Sequence, residues 1–129
     1  MAKPMFVKFE MPKELVNQTY EIIEMARDSG KVRKGANEVT KLIERQQAKF
    51  VVMSEDVTPP EILAHVPILC EEKKVPYAYV PSKDELGKAA GLKVSTAAVA
   101  VLKAGKGKVN LENLVKDIDT AKGVAPKAE

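Results

Sequence analysis

Tryptophan is absent from this 129-residue sequence, and aromatic residues of all kinds make up only 5% of it. A platform that stacks successive bases or sugar rings draws on many such side chains, so neither a stacking-rich single-strand binder nor a carbohydrate platform is favoured. Cysteine occurs once, at Cys70, which excludes an internal disulfide and every cysteine-based zinc site and suits a reducing compartment. Histidine also occurs once, at His65, which removes metal sites made of clustered imidazoles. The longest apolar run, residues 97–102, falls far short of the ~20 residues that span a bilayer. Met1-Ala2-Lys3-Pro4 is not followed by the apolar core of a signal peptide. A cytoplasmic protein with no membrane attachment is expected.

What is present fits one domain: the length allows a single core, and 45% hydrophobic with 30% charged residues is a globular composition. The net charge of +3 is too small for a wholly basic nucleic-acid coat, but the charge is unevenly spread. Residues 31–49 hold six cations and two anions, residues 55–72 five anions and no Lys or Arg, and residues 83–108 again six cations and two anions. Such alternation is expected where one side of a fold meets an anion and another does not; chance segregation on a solvated surface gives the same pattern.

Helix and strand signals alternate along the chain. Pro12 opens an amphipathic stretch carrying Leu15, Val16, Ile22, Ile23 and Ala26, closed by Ser29-Gly30. Residues 31–34 read as a short strand before Gly35, and residues 38–47 as a second helix with Val39, Leu42 and Ile43 inward. Residues 50–53 form a continuous run of β-formers and so a buried strand. Thr58, Pro59 and Glu61 spell a capping box for a third helix through Ile62, Leu63, Val66, Leu69 and Cys70, which Pro67 should kink or restart. Residues 77–80 are a further strand. Ser82 and Glu85 form a second capping box, opening a short helix to Ala90 that Gly91 ends. Residues 97–102 read as another buried strand. After a turn at residues 105–107, Asn110 is expected to cap a last helix with Leu111, Leu114, Val115 and Ile118 inward. Strands separated by helical crossovers predict a single-domain three-layer α/β/α sandwich around a mixed sheet of about four strands. The domain is expected over residues 1–122, with 123–129 as a flexible tail.

No catalytic constellation emerges. Cys70 lies on an apolar stripe, where a free thiol packs as a small hydrophobe, and His65, five residues away, points elsewhere on a regular helix. Gly105-Lys106-Gly107 lacks the glycine spacing and following helix of a phosphate loop. The informative stretch is Arg33-Lys34-Gly35-Ala36-Asn37-Glu38-Val39-Thr40-Lys41. Glycine after a basic strand allows close backbone approach, and Asn37 as a cap would leave the first helical amides open to a phosphate. Asn37, Glu38 and Lys41 gather at the first turns and offer an amide, a carboxylate and an ammonium, a set able to read a purine edge. The same residues also suit an ordinary cap, a dipole-favoured acid and a routine Glu–Lys helix pair.

The run 33–41 is joined by Val52-Met53-Ser54-Glu55-Asp56-Val57-Thr58-Pro59, by Leu69-Cys70-Glu71-Glu72-Lys73-Lys74-Val75-Pro76-Tyr77, by Val80-Pro81-Ser82-Lys83 and by Leu86-Gly87-Lys88-Ala89-Ala90-Gly91. Taken in order over residues 15–102, these closely resemble the kink-turn-binding ribosomal protein family, in its archaeal form. The resemblance implies an RNA-binding scaffold, not an enzyme, with no cofactor and no metal. Its ligand would be the kink-turn, a helix–bulge–helix element with tandem sheared G·A pairs, in ribosomal RNA, box C/D and box H/ACA guide RNAs and ribonuclease P RNA. By the same resemblance Asn37, Glu38 and Lys41 would contact the guanines. Lys34, Gly35, Ala36, Arg45 and Lys83 would lie against the RNA backbone. Leu92, Lys93 and Val94, bordered by Ile62, would pack on the bulge nucleotide. Lys93 stands where relatives vary and some carry an acid; Thr58 is assigned capping alone. Core proteins of the methylation and pseudouridylation particles are implied as partners, with the 55–72 stretch as a docking face, and the free chain is expected to be a monomer. A different class remains: a small regulatory or metabolite-binding α/β domain holding a phosphorylated ligand at Asn37 and Gly91.

Overall fold

A computed structural model describes residues 11–56 and 63–124, with side chains through residue 118. The order is α1 (Lys13–Ser29), β1 (Lys31–Lys34), α2 (Ala36–Glu44), β2 (Phe50–Ser54), α3 (Val66–Lys73), β3 (Tyr77–Val80), α4 (Lys83–Ala89), β4 (Ala98–Lys103), a 3-10 turn (Gly105–Gly107) and α5 (Lys108–Val124). The strands form one sheet in the order β1-β4-β2-β3. β4 runs antiparallel to both β1 and β2, and β2 is parallel to β3, so the sheet is mixed.

The strands alternate faces as period-2 geometry requires. Val51, Met53, Tyr77, Tyr79, Ala98 and Ala100 pack on one side with Val39, Leu42 and Ile43 of α2 and Val66 and Cys70 of α3. Phe50, Val52, Ala78, Val80, Val99 and Val101 pack on the other with α1, α4 and α5. β2 and β3 are buried along their whole length because helices cover both faces, and this is why they read as unbroken apolar runs. β1 is an edge strand, and Lys31, Arg33 and Lys34 leave it too charged to pair with another chain. The result is the expected α/β/α sandwich.

Several boundaries differ from the sequence expectation. α2 begins two residues early because Gly35, at φ 95°, takes the cap position and its carbonyl accepts from Val39 N–H at 2.9 Å. Asn37 is therefore inside the first turn and does not cap. α2 stops at Glu44, not residue 47, because Gln46 turns left-handed (φ 58°) to bring buried Ala48 toward β2. α5 begins at Lys108, so Asn110 does not cap it either; its amide instead reaches Met25 Sδ at 3.6 Å. Pro67 restarts a helix rather than kinking one, since α3 opens at Val66 with Pro67 in its first turn. β4 starts at Ala98, one residue later than expected. The capping box at Thr58, Pro59 and Glu61 lies outside the described residues, as does Ile62. α5 continues to Val124, so the tail expected from residue 123 overlaps its last two positions.

Candidate nucleic-acid interface

One end of the sheet collects the carboxyl ends of three strands. Gly35 N–H, after β1, donates to Ala98 O (2.9 Å); Ser54 N–H, ending β2, donates to Ala97 O (3.0 Å); Glu55 N–H donates to Val80 O, ending β3 (2.8 Å). α2 and α4 start at this pole and the segment before β4 returns to it. Loops beyond strand ends and open helix starts are where such folds bind ligands.

At the start of α2 no side chain caps the helix, and the amides of Ala36, Asn37 and Glu38 have no acceptor among the described residues. Their N–H groups and the positive end of the helix dipole point outward. A Cβ placed on Gly35 would meet nothing within 4 Å, so the backbone here borders open space. Its positive φ favours glycine for conformational reasons, and the bare backbone permits close approach of a ligand chain. Asn37, Glu38 and Lys41 are all exposed. Among the described residues none of them makes a side-chain hydrogen bond, and Glu38 and Lys41 do not form an ion pair. The routine cap and the routine helix pair are thus both absent. Arg45, exposed at the C-terminal end of α2, follows Asn37 and Lys41 at i+4 spacing along one stripe.

The first turn of α2 is braced from behind. Thr40 Oγ1 donates to Ala36 O (2.8 Å) and lies 2.8 Å from His65 Nε2. The hydroxyl has one proton, given to Ala36 O, so His65 Nε2 is the donor of the second bond. His65 is thereby a tie between α2 and the entry to α3, while Cys70 is buried in the core. No group of three or more metal-ligating side chains occurs among the described residues.

The loop after α4 is built differently. Leu92 N–H donates to Gly87 O (2.9 Å), and Thr96 N–H donates to Lys83 O (3.2 Å), so residues 91–96 fold back along α4 from its end to its beginning. Gly87 makes that possible: a Cβ there would lie 2.2 Å from Val94 O. With its backbone so pinned, the loop presents Val94 at 67% exposure and half-buried Leu92. Leu92 separates two shallow recesses. One, of about 190 Å³, is shared with Arg33, Lys34 and Ala90; the other, of about 270 Å³, with Asp84, Lys88 and Val94. The end of β1 and the apolar loop are therefore neighbours, with Lys34 and Leu92 lining the same recess.

The start of α4 is satisfied internally. Ser82 Oγ accepts from Glu85 N–H (3.2 Å), as its capping position predicts, and Asp56 Oδ1 accepts from Lys83 N–H (2.9 Å). Lys83 is half-buried. Close by, burial pushes the Tyr20 phenol up to about 12, opposed by the Ser82 backbone and helped by the carboxylates of Glu85 and Asp56, and among the described residues its enclosed hydroxyl has no well-formed hydrogen bond. Sequence reasoning missed Asp56, the Thr40–His65 tie and the close approach at Gly87. A glycine inside a seven-residue helix was the one available signal, since only a packing demand repays its conformational cost there. The described acids of the 55–72 stretch do not share one face. Asp56 serves α4 at this pole, whereas Glu71 accepts from the Tyr77 hydroxyl at 2.5 Å beside the start of β3, at the other end of the sheet. Burial first, and then that bond, raise the Tyr77 pKa far above its ordinary value.

A family model for the ribosomal protein L7Ae/L30e/S12e/Gadd45 family matches residues 17–110, well over half of the chain. The chain belongs to that family. The family is one of non-enzymatic RNA-binding proteins. Among solved structures, the chain is similar to the Giardia lamblia 15.5kD RNA binding protein, at 28% identity and a TM-score of 0.86. The match covers 93% of this chain and 99% of that one. Among the described residues no helix is long and apolar enough to cross a membrane.

Proposed function

We propose that this chain is an RNA-binding scaffold that holds kink-turns in their bent form. The observation that carries this reading is the exposed triad Asn37, Glu38 and Lys41, unbonded among the described residues, at the uncapped start of α2. An isolated carboxylate on a surface meant only for phosphates would be repelled. Beside an amide and an ammonium it suits the donor edge of a base, as in tandem sheared G·A pairs. Lys34, Gly35, Ala36, Arg45 and Lys83 would follow the RNA backbone, with the α2 amides as further donors to phosphate. Leu92 and Val94, with Lys93 between them, would receive the extruded bulge nucleotide, and Ile62 is assigned to the same role by the resemblance alone.

The mechanism is a population shift. Kinking crowds phosphates together, and a protein favours the bent RNA only by as much as it prefers it to the extended form. Cations along the α2 stripe offset the crowding, while Asn37 and Glu38 supply the preference for G·A pairs. The RNAs we assign are ribosomal RNA, box C/D and box H/ACA guide RNAs and ribonuclease P RNA, in a protein of archaeal type acting in the cytoplasm as a monomer when free. Chemistry in those particles would belong to RNA or to other subunits, including the core proteins of the methylation and pseudouridylation complexes. The test compares Glu38→Ala with Lys34→Ala on a kink-turn RNA and on a duplex without the kink. Loss confined to the kink-turn for Glu38→Ala, with similar losses on both RNAs for Lys34→Ala, is expected. Equal losses on both RNAs for both variants would overturn the base-reading assignment.

A further inference from the structure

The fold divides each basic segment between the two ends of the sheet. Lys34 and Lys93 lie at the α2 pole, while Lys31, Lys49, Lys103, Lys106 and Lys108 gather at the other. Lys31 opens β1 opposite Lys103, and Lys49 N–H, just before β2, bonds Val101 O at 2.7 Å. Lys106 lies in the 3-10 turn that follows β4, and Lys108 heads α5. Five residue rises from Ala98 to Lys103, at ~3.4 Å each, set this end about 17 Å from the α2 pole. Here Leu102, Ala104 and Leu111 floor a recess of about 390 Å³ that Lys49, Lys103 and Lys108 border; Glu112 is its single acid.

This arrangement is unfavourable if left unoccupied. Like charges at Lys31 and Lys103 are partners across an antiparallel pair, beside an irregularity between Lys31 and Val32, and their closeness is unfavourable. Among the described residues none of the five lysines makes an ion pair. The aliphatic floor meanwhile leaves apolar area in water.

We propose that this recess docks an acidic, leucine-bearing segment of a protein partner. One aliphatic side chain fills the floor, and flanking carboxylates meet Lys49, Lys103 and Lys108 at the rim, the usual layout of an apolar anchor inside a polar border. Charge complementarity selects the acid. The floor selects a peptide over a nucleic acid: a phosphate chain would use the lysine heads but leave the floor empty. A base would find neither an aromatic plane nor a polar edge there. Such docking would let the chain hold RNA at one pole and a protein at the other.

The test is fluorescence anisotropy of the full chain with a labelled peptide alternating Asp or Glu with Leu, at about 0.15 M salt. Saturable binding is expected, weakened about tenfold or more by the Lys103→Glu/Lys108→Glu double variant and by Lys49→Glu alone, with unchanged circular dichroism. Replacing the peptide's leucines by serine should abolish binding, and Lys34→Glu/Lys41→Glu should leave it intact. The proposal is overturned if the serine peptide binds equally well, or if the Lys103/Lys108 variant binds as the parent does. It is also overturned if the Lys34/Lys41 variant is the one that loses the peptide, or if a duplex RNA displaces the peptide from the Lys34/Lys41 variant.

Discussion

α2 and α4 start at the same end of the sheet but treat their first amides in opposite ways. In α4, Lys83 N–H is taken by Asp56 and Glu85 N–H by Ser82, and the returning loop bonds the Lys83 carbonyl. In α2, among the described residues, no side chain caps the helix, Gly35 exposes the backbone, and Asn37, Glu38 and Lys41 stand unbonded in solvent. A helix start whose groups are satisfied within the chain is scaffold. One left open beside a braced first turn has groups free for acceptors and donors from outside, and under the proposed function its unmet bonds would supply binding energy. The apolar loop at residues 91–96 connects the two roles, because α4 holds it rigidly where its side chains adjoin the end of β1.

Substitutions can break this contrast at graded cost. The largest effect is expected at the open helix: Asn37→Ala or Glu38→Ala should each lose ~1–3 kcal/mol of discrimination for G·A-containing RNA. Their thermal unfolding should be nearly unchanged, since neither side chain supports the fold; a parallel fall in stability would count against the assignment. Next is Gly87→Ala. Its Cβ meets the Val94 carbonyl backbone and should cost ~1–3 kcal/mol in urea unfolding while displacing Leu92 and Val94. Ser82→Ala should cost about 1 kcal/mol of stability, with the preference for kinked RNA intact, because that cap is internal. A changed RNA preference would show that the two helix starts do not have separate roles.

The smallest neutral-pH effect is expected for Tyr20→Phe, since its enclosed hydroxyl has no well-formed hydrogen bond to lose among the described residues. Its pH dependence sharpens the point. The folded phenol titrates at about 12 against 10.0 for the free group. Its contribution is therefore whole below pH 10 and declines as pH rises from 10 toward 12, where the unfolded chain ionises first. Tyr20→Phe should flatten part of that alkaline decline in chemical denaturation, Tyr77 supplying the remainder.

Most of the sandwich was legible because its signals are periodic or compositional. The runs at 50–53 and 77–80 are buried on both faces, the spacing of Leu15, Ile22, Ile23 and Ala26 marks one helical stripe, and Ser82 with Glu85 marks a helix start. Helix ends were less legible where backbone conformation decides. Nothing in the composition of Gln46 announces its left-handed turn, and Gly35 outcompeted Asn37 as the cap because its carbonyl already closed the first helical bond. Asn37, Glu38 and Lys41 were nameable as a candidate set from their types, and Arg45 only from the resemblance. Their freedom from one another was not, because an ion pair between Glu38 and Lys41 was equally compatible with the spacing. Tertiary partners such as Asp56 on Lys83, or His65 on Thr40, join positions 27 and 25 residues apart and leave no local trace.

The central claim is that an open helix start reads the G·A pairs of a bent RNA. It is tested most directly by competition between a labelled kink-turn RNA and an unlabelled copy in which both G·A pairs become Watson–Crick pairs. At about 0.15 M salt the account predicts a preference of roughly a hundredfold or more for the kink-turn, abolished in Asn37→Ala and Glu38→Ala. Equal competition by the two RNAs would contradict it, reduce this pole to a basic patch, and bring forward a phosphorylated small ligand as its occupant.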